Sequence, residues 1–555
     1  MFIDAMRMLA ITMRATDNTR ELRPQSAAFN GTMQRCILML WLLLLLNAAG
    51  RVSLQEHHAV SNDEESEPLQ LHLQMATLNE RVRSLERRIR SLEQPVWPMV
   101  ESATRWSTCT EGPCRCRPET RSLNCWQLEL SELPTSQSVP RDVRVIDLGV
   151  NHLSAIHKNA FQGLSYLMEL DLFDNQIDHL PSTLFADLES LTHLRLHRNR
   201  IEELPERLLL RLINLSTLDL SSNALRELPV NVFEGLSRLV VLHMSNNRLT
   251  TLPKLSGLLT LEDLDLSSNK LSEIPETTFR GLQKLQWLRL HDNQMTSLPA
   301  DLFADLVSLR HLTLHRNRLA ILPPNLFAPL LNLTYLELAN NWLTSLHPTD
   351  FEHQTELREL HLGQNRLEFI PEGAFESAVS LERLFLFSNN LEQLEGSALR
   401  GLRNLTSLML NNNLLRSIHQ DAFQHVPNLR KLQLDSNKLH FLSTGCLEPL
   451  TKLVSVKLAK NPWHCDCSIL YLSRWLRENK RKVWDSNPAC RGPGDFGGKH
   501  IEEMTFEDLC EGQWASMTRF SHRVPISKQE TVIVQPDASI QGTQDATHSV
   551  TLHRW

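Results

Sequence analysis

One pattern returns every 24 residues between Val143 and Trp463, and it limits what this chain can become more than anything else in it. Its core reads L-x-x-L-x-L-x-x-N-x-L, as in Leu191, Leu194, Leu196, Asn199 and Ile201. The asparagine recurs at Asn151, Asn175, Asn199, Asn223, Asn247, Asn269, Asn293, Asn317, Asn341, Asn365, Asn389, Asn413, Asn437 and Asn461, which makes 14 copies. Only the step from Asn247 to Asn269 is shorter, losing two residues near Pro253. The L-x-L alternation predicts a short strand with its leucines inward, one strand per coil, in a parallel sheet with neighbours roughly 4.8 Å apart. The asparagine falls where the chain leaves the strand, and its amide can bond turn backbone groups that would otherwise be buried without partners. No coil buries its apolar face alone, so stability is shared between neighbours.

A period in this range with this consensus is identified as the leucine-rich repeat. The expected fold class is an α/β horseshoe: a solenoid with a parallel concave β-sheet and an irregular convex side. Six residues before each first leucine lies a second apolar slot. It holds Phe161, Phe185, Phe233, Phe279, Phe303, Phe327, Phe351, Phe375 and Phe423, with Leu209, Leu255, Leu399 and Leu447 elsewhere. These residues predict a stacked spine under the convex side.

A solenoid exposes a raw apolar end at each terminus and needs capping. Cys109, Cys114, Cys116 and Cys125 precede the first repeat, and Cys465, Cys467, Cys490 and Cys510 follow the last. In a secreted chain they read as disulfide-stapled caps, although spacing alone leaves three connectivities in each. Metal ligation by the C-x-C pairs is the rival reading. These flanks resemble the cysteine-rich caps of extracellular leucine-rich-repeat proteins, the group including Slit, chondroadherin, Nogo receptor and the acid-labile subunit. The amino flank matches through Cys109 to Cys125 and Leu133-Pro134. The carboxyl flank matches through Asn461-Pro462-Trp463, Cys465, Cys467, Leu472, Trp475-Leu476, Cys490 and Cys510. The resemblance implies the bridges Cys109–Cys116, Cys114–Cys125, Cys465–Cys490 and Cys467–Cys510. Cys446 is left as a small, half-buried free thiol.

In front of the caps the expected order is a signal peptide at 1–50, a polar linker at 51–68, a coiled coil at 69–94, and a linker with the amino cap at 95–142. The repeats then span 143–460, the carboxyl cap 461–510 and a polar, disordered tail 511–555. The signal reading rests on the apolar run Cys36 to Leu46, preceded by Arg35 and followed by small residues. Its lead is long, so either translation starts at Met33 or the lead is a cytoplasmic flank; an uncleaved anchor is the alternative. No other segment approaches the roughly 20 apolar residues of a membrane helix, so a secreted protein without a membrane span is expected.

The coil is read from Leu71, Met75, Leu78, Val82, Leu85, Ile89 and Leu92, spaced four and three alternately. β-Branched residues at a with leucine at d favour two parallel strands, and Arg81 and Arg88 at g would face Glu86 and Glu93 at e of the partner. A homodimer is therefore expected, against the alternative of a lone amphipathic helix lying on the horseshoe. It would present two horseshoes together, with a gain in avidity.

Function is expected on the concave face, where curvature brings many repeats onto one ligand. Its outward columns carry Trp287, Arg289, His291, His311, His315, Tyr335, His361, Arg383, Phe385 and Phe387. Aromatics and arginines in these positions are what interface centres favour, so they are the candidate contacts for an extracellular protein ligand or receptor. His291 and His315 share a column, which raises zinc; no carboxylate or cysteine completes an obvious set, so a polar ladder and no cofactor or metal are expected. Sequons at Asn214, Asn332 and Asn404 all fall just before a first leucine, at the entry edge of the sheet, where glycans would keep partners off. Arg474, Arg477, Lys480, Arg481 and Lys482 could bind a heparin-like glycan at the carboxyl cap, or form a solvated helix end. A net charge of −7 is small for this length and points to no nucleic acid. With no G-x-S-x-G, H-E-x-x-H or phosphate loop, an enzyme is not expected. The readings are adhesion, matrix or signalling, with a soluble enzyme inhibitor or a co-receptor subunit as alternatives.

Overall fold

The computed structural model describes residues 67–100, 106–484 and 487–511. The expected signal, nearly all of the polar linker and the tail beyond Glu511 lie outside the described residues. The chain divides into two units after Val82, inside helix α1 (Glu67–Glu93). The repeats and both caps belong to the second unit, Arg83–Trp555.

Sixteen strands form one sheet. Arg115–Arg117 and Ser122–Asn124 pair antiparallel in the amino cap. The second of these runs parallel to Val145–Asp147, and from there each repeat adds one three-residue parallel strand as far as Ser455–Lys457. The register sets leucine beside leucine, as in Leu288↔Leu312 and Leu336↔Leu360. Those leucines are fully buried while the residues beside them stand out from the opposite face. The two residues missing before Asn269 do not disturb this order: Leu264 pairs with both Leu242 and Leu288.

Each consensus asparagine is a cross-coil bracket. Asn317 Nδ2 donates to the carbonyls of Leu290 (3.0 Å), Leu314 (3.1 Å) and His315 (3.4 Å), and its Oδ1 accepts the Met295 N–H at 3.2 Å. The residue before the asparagine takes a left-handed backbone in every coil, with φ between 51° and 58° from Val150 to Lys460. That turn aims the side chain back into the coil, so the amide meets groups that neither strand nor turn satisfies.

The phenylalanine spine is present. From Phe279 to Phe375 the rings stack at 5.9–6.4 Å between centroids, with planes within 18° of parallel. Its amino end is closed by Trp97, fully buried edge-on to Phe161 at 6.3 Å, with its Nε1 donating to the Ala160 carbonyl. Sequence alone places Trp97 in a linker; it is part of the core, and Met99–Val100 beside it pairs with Val139–Pro140.

All four disulfides follow the connectivity the resemblance implied. In the amino cap the buried Gln137 completes the staple: it accepts the Cys114 N–H and donates to the Cys109 carbonyl. In the carboxyl cap Trp463 covers the last coil, and helix α2 (Leu470–Glu478) buries Leu472, Trp475 and Leu476. Cys446 is free and buried more deeply than expected, which pushes its thiol up to about 12.

Helix α1 is joined to the repeats by polar groups and not by its apolar row. From Arg83 onward it is fixed by polar contacts: Arg87 with Glu202 (2.7 Å), Arg90 with Asp178 (2.9 Å), and Ser91 Oγ donating to the Ile156 carbonyl. Its apolar row is not used to hold it, and Leu85, Ile89 and Leu92 are each more than half exposed. Met75, Leu78 and Val82 are exposed as well.

Candidate ligand-binding face

Because side chains alternate along each strand, the residues flanking the inward leucine form two columns on the concave face. Adjacent coils hold these columns one strand spacing apart, close enough for flat rings to stack. Trp287 and His311 do so at 3.6 Å with planes 3° apart. His311 then meets Tyr335 (5.8 Å), Tyr335 meets His361 (5.3 Å), and His361 stacks on Phe385 (4.1 Å). Five of the ten candidate contact residues thus form one aromatic run over five coils, crossing from one column to the other between Tyr335 and His361.

Charged groups hold the run in place. Glu359 accepts from His361 Nε2 at 2.8 Å and pairs with Arg383 at 2.7 Å. The Tyr335 hydroxyl donates to Glu337 at 2.9 Å, and burial beside that carboxylate pushes the phenol above its usual range. Arg289 lies 5.5 Å from the Trp287 ring and binds Asp263 at 2.6 Å. Asp263 also lies 3.4 Å from His243, and that contact raises the His243 imidazole against the opposing effect of burial. His311 moves the other way: burial, then the Arg289 charge, favours the neutral ring that stacks. The sequence places Glu337 and Glu359 in these outward columns; of the three carboxylates only Asp263 was missed. The signal for Asp263 was its place in the same outward column as Trp287, 24 residues earlier.

His291, His315 and Phe387 sit in a neighbouring column. Phe387 lies over Gly363, where a Cβ would come within 2.6 Å of its ring, so only glycine leaves room. The two histidines stack at 4.3 Å, and burial, then the His315 charge, lowers the His291 pKa. One expectation is corrected here: a carboxylate does stand beside them. Asp292 brings a ligand atom within 4.8 Å of one on each ring, because the left-handed turn after the strand swings it back over the column. Three features set this group apart from a finished metal site. Parallel rings point their lone pairs side by side instead of converging on one point. His291 Nδ1 is bonded to Thr313 Oγ1 at 2.9 Å, and Asp292 faces Arg316 at 3.5 Å.

The three sequon asparagines carry a structural role that spacing did not reveal. Each Nδ2 donates to a carbonyl of the previous coil: Glu189, Val307 or Val379. The hydroxyls of Ser216, Thr334 and Thr406 do the same two residues on. Asn332 and Asn404 are exposed and Asn214 is half-buried. In the carboxyl cap, Arg474 pairs with Glu478, Arg477 donates to the Glu502 and Met504 carbonyls, and Lys480 pairs with Glu502. Three of the five cations expected to form a glycan patch are therefore engaged within the cap.

The leucine rich repeat family matches residues 141–201, 213–271, 259–319, 312–367, 355–414 and 403–462, more than half of the chain. The chain belongs to the leucine-rich repeat family. It is similar to mouse SLIT and NTRK-like protein 4 (29% identical over 102 residues, 18% of this chain and 11% of that protein). It is also similar to mouse carboxypeptidase N subunit 2 (36% over 55 residues, 10% of each). The chain spans about a tenth of the length of these curated relatives. Among solved structures it resembles the Drosophila Toll–Spatzle complex, with a TM-score of 0.56 at 25% identity, covering 69% of this chain and 57% of the other. A leucine-rich repeat protein of Leptospira interrogans gives a TM-score of 0.53 at 26% identity, covering 70% of this chain and all of that one. No helix among the described residues is long and apolar enough to cross a membrane.

Proposed function

We propose that this leucine-rich repeat protein is secreted and binds an extracellular protein through its concave face, in adhesion, matrix assembly or signalling, without catalysing a reaction. The observation that carries this reading is the aromatic run from Trp287 to Phe385, whose rings are oriented by Arg289, Arg383 and three carboxylates. A rigid row of aromatics with arginines at its margin loses little conformational entropy on binding and suits the centre of an interface. Trp287 is 39% exposed although it is the largest side chain in the run, so apolar area remains to be covered. Glycans on Asn214, Asn332 and Asn404 would occupy the entry edge of the sheet and leave this face open.

The test is a binding screen against an array of secreted and cell-surface ectodomains, comparing the natural chain with a Trp287→Ala, Phe385→Ala variant. The bound ectodomain should lose about 2–4 kcal/mol, about thirtyfold or more in affinity. Partners that bind both forms equally would overturn the site, provided circular dichroism shows the variant folded.

A bivalent form of the same function is favoured by helix α1. The helix is tethered through Arg87, Arg90 and Ser91 while its Leu85, Ile89 and Leu92 row stays exposed, the arrangement a second copy's helix would complete. Light scattering on the natural chain should give a dimer, and Leu78→Glu with Leu85→Glu should give a monomer. A monomer in both cases would move the inhibitor and co-receptor readings ahead of adhesion. These substitutions are preferred to deleting the helix, because deletion would also remove the tethers.

A further inference from the structure

A cavity of about 500 Å³ lies where the last coils meet the carboxyl cap, away from the concave aromatic run. Its wall carries Arg416, Lys438, His440, His464 and Arg491. Arg416, His440 and His464 occupy the same place in three successive coils, the third residue after Asn413, Asn437 and Asn461, so they form one row along the solenoid. Lys438 stands beside the row, and Arg491 reaches it from the cap, because its N–H bonds to the Trp463 carbonyl. All five side chains are exposed, and Arg416, Lys438 and Arg491 form no ion pair among the described residues. No carboxylate lines the cavity. The acids in reach are Asp466, 3.8 Å from His464 Nε2, and the exposed Glu392, which ends the row one coil earlier. In a chain of net charge −7, such a concentration of unpaired cations in a concavity is a local reversal of sign.

We propose that this cavity binds a sulfated glycosaminoglycan chain, at a site distinct from the cluster around α2. Sulfates along a linear sugar meet the charges of Arg416, Lys438 and Arg491 with imidazole N–H donors between them, and guanidinium groups take such oxyanions through paired N–H bonds. Leu414 and Pro462 supply apolar surface between the charges for the faces of the sugar rings. An acidic protein segment fits less well. The amides of Leu414, Arg416, Lys438, His464 and Arg491 already donate to backbone carbonyls, and Pro462 has none. Five of the eight amides in the lining are therefore unavailable to an incoming strand, and recognition rests chiefly on side-chain charge.

The experiment measures heparin binding of the full chain by surface plasmon resonance at near-physiological salt, with two triple variants. Arg416→Ser, Lys438→Ser, Arg491→Ser should weaken binding by about tenfold for each cation removed. Arg474→Ser, Arg481→Ser, Lys482→Ser should change it by less than about threefold, since none of these side chains lines the cavity and salt screens their charge at longer range. The proposal is overturned if the natural chain does not bind heparin, or if the second variant carries the larger loss. It is also overturned if polyglutamate of matched charge binds as tightly as heparin, which would assign the cavity to acidic protein. Both variants change exposed side chains apart from the half-buried Lys482, and an unchanged melting temperature confirms that the comparison is between folded proteins. The outcome is independent of the concave-face screen.

Discussion

Asn317→Ala is expected to destabilise the middle of the array by about 2–6 kcal/mol. The substitution strands the Met295 N–H in the coil interior and takes one of two amide donors from each of the Leu290 and Leu314 carbonyls, which keep Asn293 and Asn341. A buried polar group without a partner costs about 1–3 kcal/mol, and each of the two weakened carbonyls adds about 0.5–1.5 kcal/mol. Asn317→Asp should be nearly as damaging although it keeps the shape, because a carboxylate accepts from Met295 but cannot donate to either carbonyl. A long array need not unfold in one step, so the readout is local: amide exchange at Met295 and its neighbours should accelerate by about one order of magnitude or more. Unchanged protection would mean that water replaces the amide and that the asparagine is not a bracket.

Phe327→Ala should cost about 3–5 kcal/mol by opening a cavity in the spine. The ring is 1% exposed and lies between Phe303 and Phe351, at 6.4 and 6.2 Å. The neighbouring coils cannot close over it, because their own rings are fixed by the stack on either side. Phe327→Leu should cost less than about 1.5 kcal/mol, since a buried leucine fills the same slot at positions 209, 255, 399 and 447. Urea melts followed by circular dichroism give the ranking, and an alanine variant no worse than the leucine one would remove the spine as a source of stability.

Both expectations were available from spacing, because the repeat fixes which side chains face inward and how often. The strands, the brackets, the spine and the caps follow from that period and from cysteine placement. What was not legible depends on distance between coils. Asp292 was invisible as a neighbour of His315 because they are 23 residues apart and meet through a left-handed turn. The tethering of α1 joins Arg87 to Glu202 across 115 residues, and nothing local marks either partner. The sequon residues read as modification signals and proved also to be rungs between coils. The cationic cavity gathers three coils and the cap, so no window of sequence contains it, whereas the cluster around α2 looked conspicuous in sequence and is largely engaged at home.

The coil that lacks two residues keeps its strand in register with both neighbours. Length can therefore change on the convex side without moving any position on the concave one. Every outward side chain there has a fixed address, given by its coil and its column, on a grid ruled at about 4.8 Å. Trp287 and Phe385 are four rulings apart, about 19 Å, whatever happens behind them. A surface of this kind can be rewritten one address at a time. Its partner specificity can drift or be redesigned while the scaffold that displays it stays the same.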